Sequence, residues 1–331
     1  MNNVITEPVV IPTASVVRAV ALPPAVTIDD TVVIGNIPAT PLLLTIATGV
    51  NGYFFRIIFD PDYIYNALIE WGDGQSSQIV SPGVSQIIHA YENGVPREYQ
   101  ISISGVLPAF NCSYQFNLIR VDSWGTHRYR TMSQALNFCS ALVSIPAGGD
   151  FSYATNFEYA WAECSALIEF PLMNLSRGTN FYSAWSGCSS MTTFNTLDLS
   201  SGTDFQGAWG GCGFTEAPLV DVSSVLDFGG AFANNLNLVH IPAINLTTAT
   251  AITAIASGSV QLESIDCVGI STQLELPEAQ LSANALNSIF TNLLVVPPST
   301  GLFIAPNPGR ATCDITIAEN KGWYVYFIPI T

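Results

Sequence analysis

Cysteine is the residue type whose spacing in this 331-residue sequence most invites a chemical interpretation. Four of the seven cysteines recur at nearly equal intervals, at Cys139, Cys164, Cys188 and Cys212. A zinc site needs closely spaced ligand pairs, and no two cysteines here have that spacing. Side chains in a stacked ladder point the same way rather than at each other, which disfavours disulfides. We therefore predict four buried free thiols, no metal and no cofactor.

The other residues that could act in catalysis form no motif. His89, His127 and His240 are far apart in sequence, and a Gly-x-Ser-x-Gly nucleophile motif is absent. The glycine-rich stretch 207–213 lies inside a repeat and lacks the lysine of a phosphate loop. Two carboxylates from distant repeats could meet and cleave a glycoside, but the sequence favours no pair. We predict a non-enzymatic protein and keep a polysaccharide depolymerase as an alternative.

The composition restricts the partners of the chain. Its formal net charge is −16, with 9 lysines and arginines against 25 acidic residues. Nucleic acids and anionic membrane surfaces bind mainly through cationic side chains, so both are disfavoured as partners. Apolar residues make up 49% of the chain and charged residues 10%, which indicates a folded core. No stretch reaches the roughly 18 uninterrupted apolar residues of a membrane-spanning helix, and we expect no membrane insertion.

The periodic cysteines belong to six repeated units between Met132 and Ile265. Three units share an apolar set at offsets 0, 3, 4 and 7, which are Phe157-Ala160-Trp161-Cys164, Phe181-Ala184-Trp185-Cys188 and Phe205-Ala208-Trp209-Cys212. The other three carry related sets, which are Met132-Ala135-Leu136-Cys139, Phe228-Ala231-Phe232-Asn235 and Ile252-Ile255-Ala256-Ser259. The last position of the set recurs in steps of 25, 24, 24, 23 and 24. Such a period indicates a stacked repeat protein.

Each unit is predicted to contain a short helix followed by a strand. The offsets 0, 3, 4 and 7 match one face of two helical turns, and the following stretch, such as 167–170, alternates before a proline. A unit this small cannot bury its own apolar face, so neighbouring units must stack. Trp161, Trp185 and Trp209 share their face with alanine and cysteine, so we predict core residues rather than a sugar-binding ladder.

The pattern Ala-Trp-x-x-Cys-Ser-x-Leu-x-x-x-Pro resembles the BspA-like leucine-rich repeats of bacterial surface proteins and phage virion proteins. The resemblance covers residues 122–265 and implies an α+β fold, a leucine-rich-repeat solenoid of about six helix-strand units. In it, the repeat positions Phe157, Phe181, Phe205, Phe228, Phe232 and Asn235 are core residues beside the tryptophans and cysteines. The unit that begins at Phe205 departs from the pattern, because Pro218 comes one residue early.

Residues 41–121 are predicted to form a small β-sandwich. Runs such as 53–58 and 67–71 are strand-like, and Asp73-Gly74 is a strong turn signal. The motif Trp71-Gly72-Asp73-Gly74, followed by His89-Ala90-Tyr91, resembles a polycystic-kidney-disease-type domain, a spacer in surface proteins. No set of carboxylates surrounds Asp73 in the sequence, so we predict that it bonds the backbone of its own turn rather than calcium.

The two ends of the chain are predicted to play different parts. Residues 1–40 alternate prolines with bare valine and isoleucine runs, which predicts an extended arm ordered against a partner, or else an edge of the sandwich. Residues 266–331 are predicted to cap the solenoid, with a helix over Leu281–Leu293 capped by Ser282. A strand at 303–304, a helix over 314–319 and a strand at 322–325 should follow. The run 307–323 resembles the ends of phage tail-fibre-type proteins.

These features together suggest a virion protein. The start, Met1-Asn2-Asn3-Val4, lacks the basic residues and apolar run of a secretory signal, so we expect assembly in the host cytoplasm. We expect a tail fibre or adsorption appendage that contacts a host-envelope protein or glycan, binds other virion proteins through residues 1–40 and forms a homo-oligomer. The alternatives are a capsid decoration or cement protein and a bacterial surface adhesin. The pairing of Cys112, Cys267 and Cys313 stays open.

Overall fold

The computed structural model describes residues 40–49, 53–80, 84–92 and 96–327. They form an N-terminal β-sandwich followed by a solenoid of about seven turns. The solenoid confirms the stacked repeat that the sequence predicts. Apart from Thr40, the predicted arm (residues 1–40) lies outside the described residues.

The sandwich contains seven strands, which are β1 (Leu42–Ala47), β2 (Phe54–Ile58), β3 (Asn66–Glu70), β4 (Ser76–Val80), β5 (Gln86–Ala90), β6 (Glu98–Val106) and β7 (Leu118–Ser123). One antiparallel sheet has the order β4-β3-β6-β1-β7, and β2 pairs with β5 in the second sheet. Buried and more exposed residues alternate along the strands, as in β3, where Ala67 and Ile69 enter the core. This alternation places the apolar side chains of both sheets in one core.

Strand β7 belongs to both the sandwich and the solenoid. Its first edge pairs with β1, and at its second edge the Val121 N–H donates to the Ser144 carbonyl. The Val143 N–H donates back to the Ile119 carbonyl. The first turn of the solenoid thus covers a sheet edge that would otherwise be open to aggregation. The predicted boundary between residues 121 and 122 falls within this shared strand.

One side of the solenoid is a row of very short parallel strands. They are β8 (Glu169–Phe170), β9 (Thr193–Phe194), β10 (His240–Ile241) and β11 (Ser264–Ile265), paired as β8–β9 and β10–β11. Between β9 and β10, the fourth unit contributes only a bridge from Glu216 to His240. This is the unit in which Pro218 comes one residue early, and the strand row is interrupted there.

The helices predicted within the repeats are wrong. Residues 158–163 form successive turns, in which the Ala160 N–H bonds the Phe157 carbonyl three residues back. The Trp161 N–H instead donates to Ala184 of the next unit. An α-helix would direct every interior N–H to its own chain. The fold is therefore a mostly β solenoid, and the α+β class with helix-strand units is not found in residues 132–265.

A left-handed backbone conformation at two positions of each unit directs successive N–H groups alternately to the unit itself and to the next unit. In the second unit Tyr159 has φ 52° and Glu163 has φ 59°. The same two positions have positive φ in all six units, at Gln134 and Phe138, Tyr159 and Glu163, Ser183 and Gly187, Gly207 and Gly211, Gly230 and Asn234, and Ala254 and Gly258. A left-handed residue other than glycine costs about 1–2 kcal/mol and interrupts a right-handed helix. Each unit therefore turns alternate N–H groups toward its neighbour.

These N–H groups form a ladder that runs in one direction along the solenoid. The Trp161 N–H donates to the Ala184 carbonyl at 2.8 Å, and the equivalent bond recurs in the following units. The first unit receives its bond from the sandwich, because the Cys112 N–H donates to the Ala135 carbonyl at 2.7 Å. The sandwich thus provides the edge on which the solenoid is built.

Asparagine and aspartate side chains shape the corners between the sides. The Asp198 carboxylate accepts the Ser200 N–H at 3.1 Å, which closes an Asx turn. Equivalent turns recur along the solenoid in two rows, at Asn174, Asp198, Asp221 and Asn245 and at Asn156, Asn180, Asp204 and Asp227. These short side chains satisfy backbone groups that the direction change would otherwise leave unpaired.

Aromatic side chains stack along the core of the solenoid. Trp161, Trp185 and Trp209 are fully buried, with parallel rings whose centroids lie 5.7 and 5.3 Å apart. Phe170 stands edge-to-face between the first two, at 4.8 and 5.3 Å. The three indole N–H groups have no hydrogen-bond partner among the described residues. Burial of the large rings must outweigh the desolvation of these donors.

Replacing Trp185 by alanine should lower the free energy of unfolding by about 3–5 kcal/mol, because a buried large side chain is lost and a cavity remains. Trp185→Phe should cost less, since Phe232 occupies the equivalent position of the fifth unit. Urea unfolding of the three proteins measures the difference. Equal stability of wild type and Trp185→Ala would contradict a core role.

The cysteine ladder is a ladder of hydrogen-bond donors. Cys139, Cys164, Cys188 and Cys212 are free and buried, and the Cys188 thiol donates to the Trp161 carbonyl at 3.2 Å. Asn235 and Ser259 donate from the same position to carbonyls of the preceding unit, each at 2.9 Å. The position therefore requires a short side chain with a donor. Burial raises the pKa of the Cys188 thiol to about 12.

Stability should fall as the pH rises above about 9, because unfolded thiols ionise near 9.0 whereas Cys188 in the folded protein stays protonated until about 12. The contribution of the protonated thiol to the free energy of unfolding is fully present below the pKa of the unfolded thiol, and it is lost as the pH rises through the pKa of the folded thiol. Each buried thiol should contribute about 1.4 kcal/mol per pH unit within this window. Cys188→Ala, which itself should cost about 1–2 kcal/mol, should flatten the dependence by that slope.

Urea unfolding from about pH 8 to about pH 10.5 provides the measurement. Cys313→Ala, which removes a thiol that is only partly buried, is the matched control and should flatten the dependence less. The same slope in wild type and Cys188→Ala would show that this thiol does not titrate on unfolding.

The C-terminal part alternates parallel strands with helices, in the order β12 (Leu274–Leu276), α1 (Ala283–Asn292), β13 (Thr300–Ile304), α2 (Thr316–Glu319) and β14 (Trp323–Phe327). The predicted helix with its Ser282 cap is confirmed, since the Ser282 hydroxyl accepts the Ala285 N–H. Lys321, the single lysine of the sequence, donates to three carbonyls at the C-terminal end of α1. A cation there is also favoured by the helix dipole.

Candidate functional site

The repeat residues singled out by the sequence lie inside the solenoid. All of them are buried, namely Cys139, Cys164, Cys188, Cys212, Asn235, Trp161, Trp185, Trp209, Phe157, Phe181, Phe205, Phe228 and Phe232. The tryptophans stack on one another rather than facing solvent. These buried side chains support the outer surface of the solenoid, so a ligand would contact outward-facing residues instead.

The turn at Trp71, Asp73 and Gly74 is a local structural device. Asp73 accepts the Gln75 N–H at 3.0 Å, and Gly74 has φ 90°. Asp73 also contacts His89 at 2.8 Å, and the His89 ring stacks on buried Trp71 with centroids 4.6 Å apart. Desolvation opposes ionisation of Asp73, but the bonds from Gln75 and His89 outweigh it and lower its pKa. The described ranges hold no group of three or more potential metal ligands.

A serine, a histidine and an aspartate also meet on strands β10 and β11. His240 Nδ1 lies 2.7 Å from Ser264 Oγ, and His240 Nε2 lies 3.8 Å from Asp266 Oδ2. The second distance is too long for the hydrogen bond that orients the base in a catalytic triad. These residues line neither of the two cavities that lie along the turn segments of the solenoid. Their arrangement gives no support to a hydrolytic site.

A groove follows the outer surface of the turn segments. Its larger cavity, of about 530 Å³, extends from Glu163 to Ala254, and a second cavity of about 360 Å³ extends from Tyr114 to Ser186. Both are lined by Glu163 and Ser186, so the two cavities adjoin and together form a groove along the solenoid. We call it the turn-face groove and define it by Tyr159, Glu163, Tyr182, Gln206, Gly207 and Asn234.

The depth of the turn-face groove follows from one position of the repeat. The third residue of each unit points outward, and along the six units it is Gln134, Tyr159, Ser183, Gly207, Gly230 and Ala254. Side chains are thus large in the early units and small in the later ones. Gly207 has φ 65° and Tyr159 has φ 52°, so the backbone accepts a large residue at this position. Glycine at position 207 opens the groove.

Small residues and polar groups line most of the larger cavity, to which Tyr182 adds an aromatic ring, and Tyr114, Phe138 and Tyr159 add rings to the second cavity. Tyr159 and Tyr182 meet edge-to-face at 5.2 Å, and a side-chain hydrogen bond with Tyr182, aided by desolvation, raises the pKa of Tyr159. Gln206 and Asn234 add amides, and Glu163 and Asp227 add carboxylates. Among the described residues, no lysine or arginine lines either cavity. Stacking faces beside hydroxyl, amide and carboxylate groups suit a neutral, hydroxyl-rich ligand, whereas a polyanion would meet only negative charge.

Sequence reasoning missed this groove. Its lining residues vary from unit to unit, whereas the periodic pattern records only the inward positions. The decreasing size from Tyr159 to Gly207 at one repeat position was the available signal. It becomes informative only once that position is known to point outward.

No family model matches the chain, and neither a curated protein nor a solved structure does.

Within the described part of the chain, no helix is long and apolar enough to cross a membrane.

Proposed function

We propose that this chain is a non-enzymatic protein of a phage virion, whose turn-face groove binds a neutral glycan of the host envelope. Its role is that of a tail fibre or adsorption appendage, assembled in the host cytoplasm. The observation that carries the proposal is the contact between Tyr159 of the second cavity and Tyr182 of the larger one, beside the amides of Gln206 and Asn234, with no cationic side chain among the described lining residues.

Sequence resemblance supports the virion setting. The Ala-Trp-x-x-Cys-Ser motif of residues 122–265 resembles BspA-like repeats, and the Trp71–Gly74 motif resembles a polycystic-kidney-disease-type spacer. Helix and strand alternate over β12–β14, an order that leucine-rich repeats share. We propose kinship with BspA-like repeat proteins on these grounds, with turns in place of helices in the central units.

A linear glycan also suits the geometry of a solenoid. Successive turns lie about 4.8 Å apart, so equivalent outward positions form straight rows along the axis. A polymer of repeated sugar rings can place one ring after another along such a row. Tyrosine faces then cover the apolar faces of the sugars while amides and carboxylates bond their hydroxyl groups.

Narrowing the groove should weaken glycan binding. Gly207→Tyr introduces into the fourth unit the tyrosine that the second unit carries as Tyr159, and the new ring fills the turn-face groove. Tyr182→Ala removes an aromatic face on which a sugar could stack. Each variant should bind host-envelope glycan at least about tenfold more weakly, a loss of about 1.4 kcal/mol. Titration calorimetry with purified neutral envelope glycan, together with adsorption counts, measures the effect.

Gly74→Tyr is the control, because Gly74 also has positive φ but lies in the sandwich. An added Cβ meets nothing within 4 Å at Gly74 and meets Ser183 Oγ at 3.1 Å at Gly207. It should bind the glycan as wild type does. Unchanged binding by Gly207→Tyr would remove the groove from the proposal. Release of shortened glycan by the wild-type protein would instead select the depolymerase alternative.

A capsid decoration or cement protein is the second candidate. It is favoured by the apolar, proline-interrupted residues 1–40, which suit clamping onto neighbouring coat subunits. Copy number distinguishes the two roles, because a decoration protein approaches the number of coat subunits and a fibre does not. A bacterial surface adhesin would be encoded among cell-wall genes instead.

Deleting residues 1–39 should leave the melting temperature nearly unchanged and abolish incorporation into particles. Thr40 is kept because its carbonyl accepts the Thr126 N–H at 3.1 Å. Differential scanning calorimetry and particle composition measure the two effects. A misfolded truncated chain would show that the arm belongs to the sandwich core. Full incorporation would show that attachment lies elsewhere.

A further inference from the structure

Strand β14 has an apolar edge that no strand of the described residues covers. Its five residues, Trp323–Phe327, are all aromatic or aliphatic. One edge pairs with β13, and the other pairs with no strand of the described ranges. Tyr324 is 54% exposed, and Tyr326 and Phe327 are each 41% exposed. A strand that is apolar on both faces is typical of the interior of a sheet.

The uncovered surface extends beyond the strand. The loop before β13 exposes Leu294 and Val295, the latter at 79%. This loop is fixed beside β14, since the Trp323 indole N–H donates to the Leu294 carbonyl at 2.9 Å. The rings of Tyr324 and Tyr326, whose centroids lie 4.5 Å apart, form an exposed aromatic surface on one face of β14. With Leu294 and Val295 exposed beside the strand, this end of the chain has the apolar exposure that marks an interaction surface.

We propose that β14 pairs antiparallel with β14 of a second copy of this chain, which joins two three-stranded sheets into one sheet of six. The two-fold axis of the dimer passes between the Val325 residues of the two copies. This places Tyr324 opposite Tyr326 of the other copy and Trp323 opposite Phe327. Cross-strand aromatic pairs stabilise antiparallel sheets, and here every pair is apolar. The strand is therefore complementary to itself, as an isologous interface requires.

Charge also favours this edge for contact between copies. Each chain carries a formal net charge of −16, so most of two identical surfaces repel each other. Strand β14 contains no charged residue, and Arg310 places its guanidinium over the Phe327 ring, at 5.1 Å. Pairing here also hides an edge that would otherwise invite aggregation.

Sedimentation of the full chain tests the proposal. The wild type should dimerise, and the double variant Tyr324→Lys/Tyr326→Lys should dimerise at least about 100-fold more weakly, because lysines on both strands would face each other. Leu236→Lys, at a 64% exposed leucine of the solenoid, is the matched control and should dimerise as wild type does. Circular dichroism and the melting temperature verify that each variant is folded.

Crosslinking tests the register. In a Cys313→Ala background, Val325→Cys should form a disulfide-linked dimer on mild oxidation, because the two residues 325 face each other across the axis. Val106→Cys, at an exposed end of β6, should form no disulfide-linked dimer.

Three results would overturn the proposal. They are a monomeric wild type, a dimer that the lysine pair leaves intact, and a dimer that disappears when residues 1–39 are deleted. The last result would assign the edge to the arm of the partner. Failure of glycan binding leaves the proposal unaffected, because the groove and β14 are separate surfaces.

Discussion

The one-directional ladder of N–H groups from each unit to the next is the constraint on which the rest of the solenoid depends. It requires alternate N–H groups to leave their own unit, and left-handed residues such as Tyr159 and Glu163 make this geometry. The bonds set the separation between turns, and that separation lets Trp161, Trp185 and Trp209 stack in parallel. The same separation places each thiol within reach of a carbonyl of the preceding unit. Core packing is thus a consequence of the backbone ladder as much as its cause.

The ladder also explains why the core and the groove carry different information. Inward positions meet the same neighbours in each unit, so they repeat in the sequence and reveal the period and the buried residues. Outward positions meet no repeated neighbour and are free to vary, as Tyr159, Ser183 and Gly207 do. The binding surface of a solenoid is therefore formed by the positions that vary between units rather than by those that repeat. That is why the sequence could predict the buried tryptophans and could not predict the groove.

The helix prediction failed for a related reason. An apolar spacing of 0, 3, 4 and 7 shows which residues point inward, and both an α-helix and this succession of turns satisfy it. Glycine or asparagine at each left-handed position would have been a warning, but Phe138, Tyr159 and Glu163 are residues that usually avoid positive φ. The Asx turns at the corners have a clearer sequence signal, from which we made no prediction. An aspartate or asparagine two residues before serine or threonine recurs with the period of the repeat, as at Asp198 and Asp221.

The C-terminal part provides an internal comparison. Leu286, Ile289, Phe290 and Leu293 have the same offsets of 0, 3, 4 and 7, yet they form or directly follow the α-helix α1. Two local differences separate this segment from the earlier units: Ser282 caps the helix start, and Lys321 binds the carbonyls at its end. The segment also follows the last unit of the ladder. A helix satisfies its own N–H groups, so it can end a solenoid where another turn would require a further neighbour. The neighbour of a segment, rather than its apolar spacing, decides between turn and helix here.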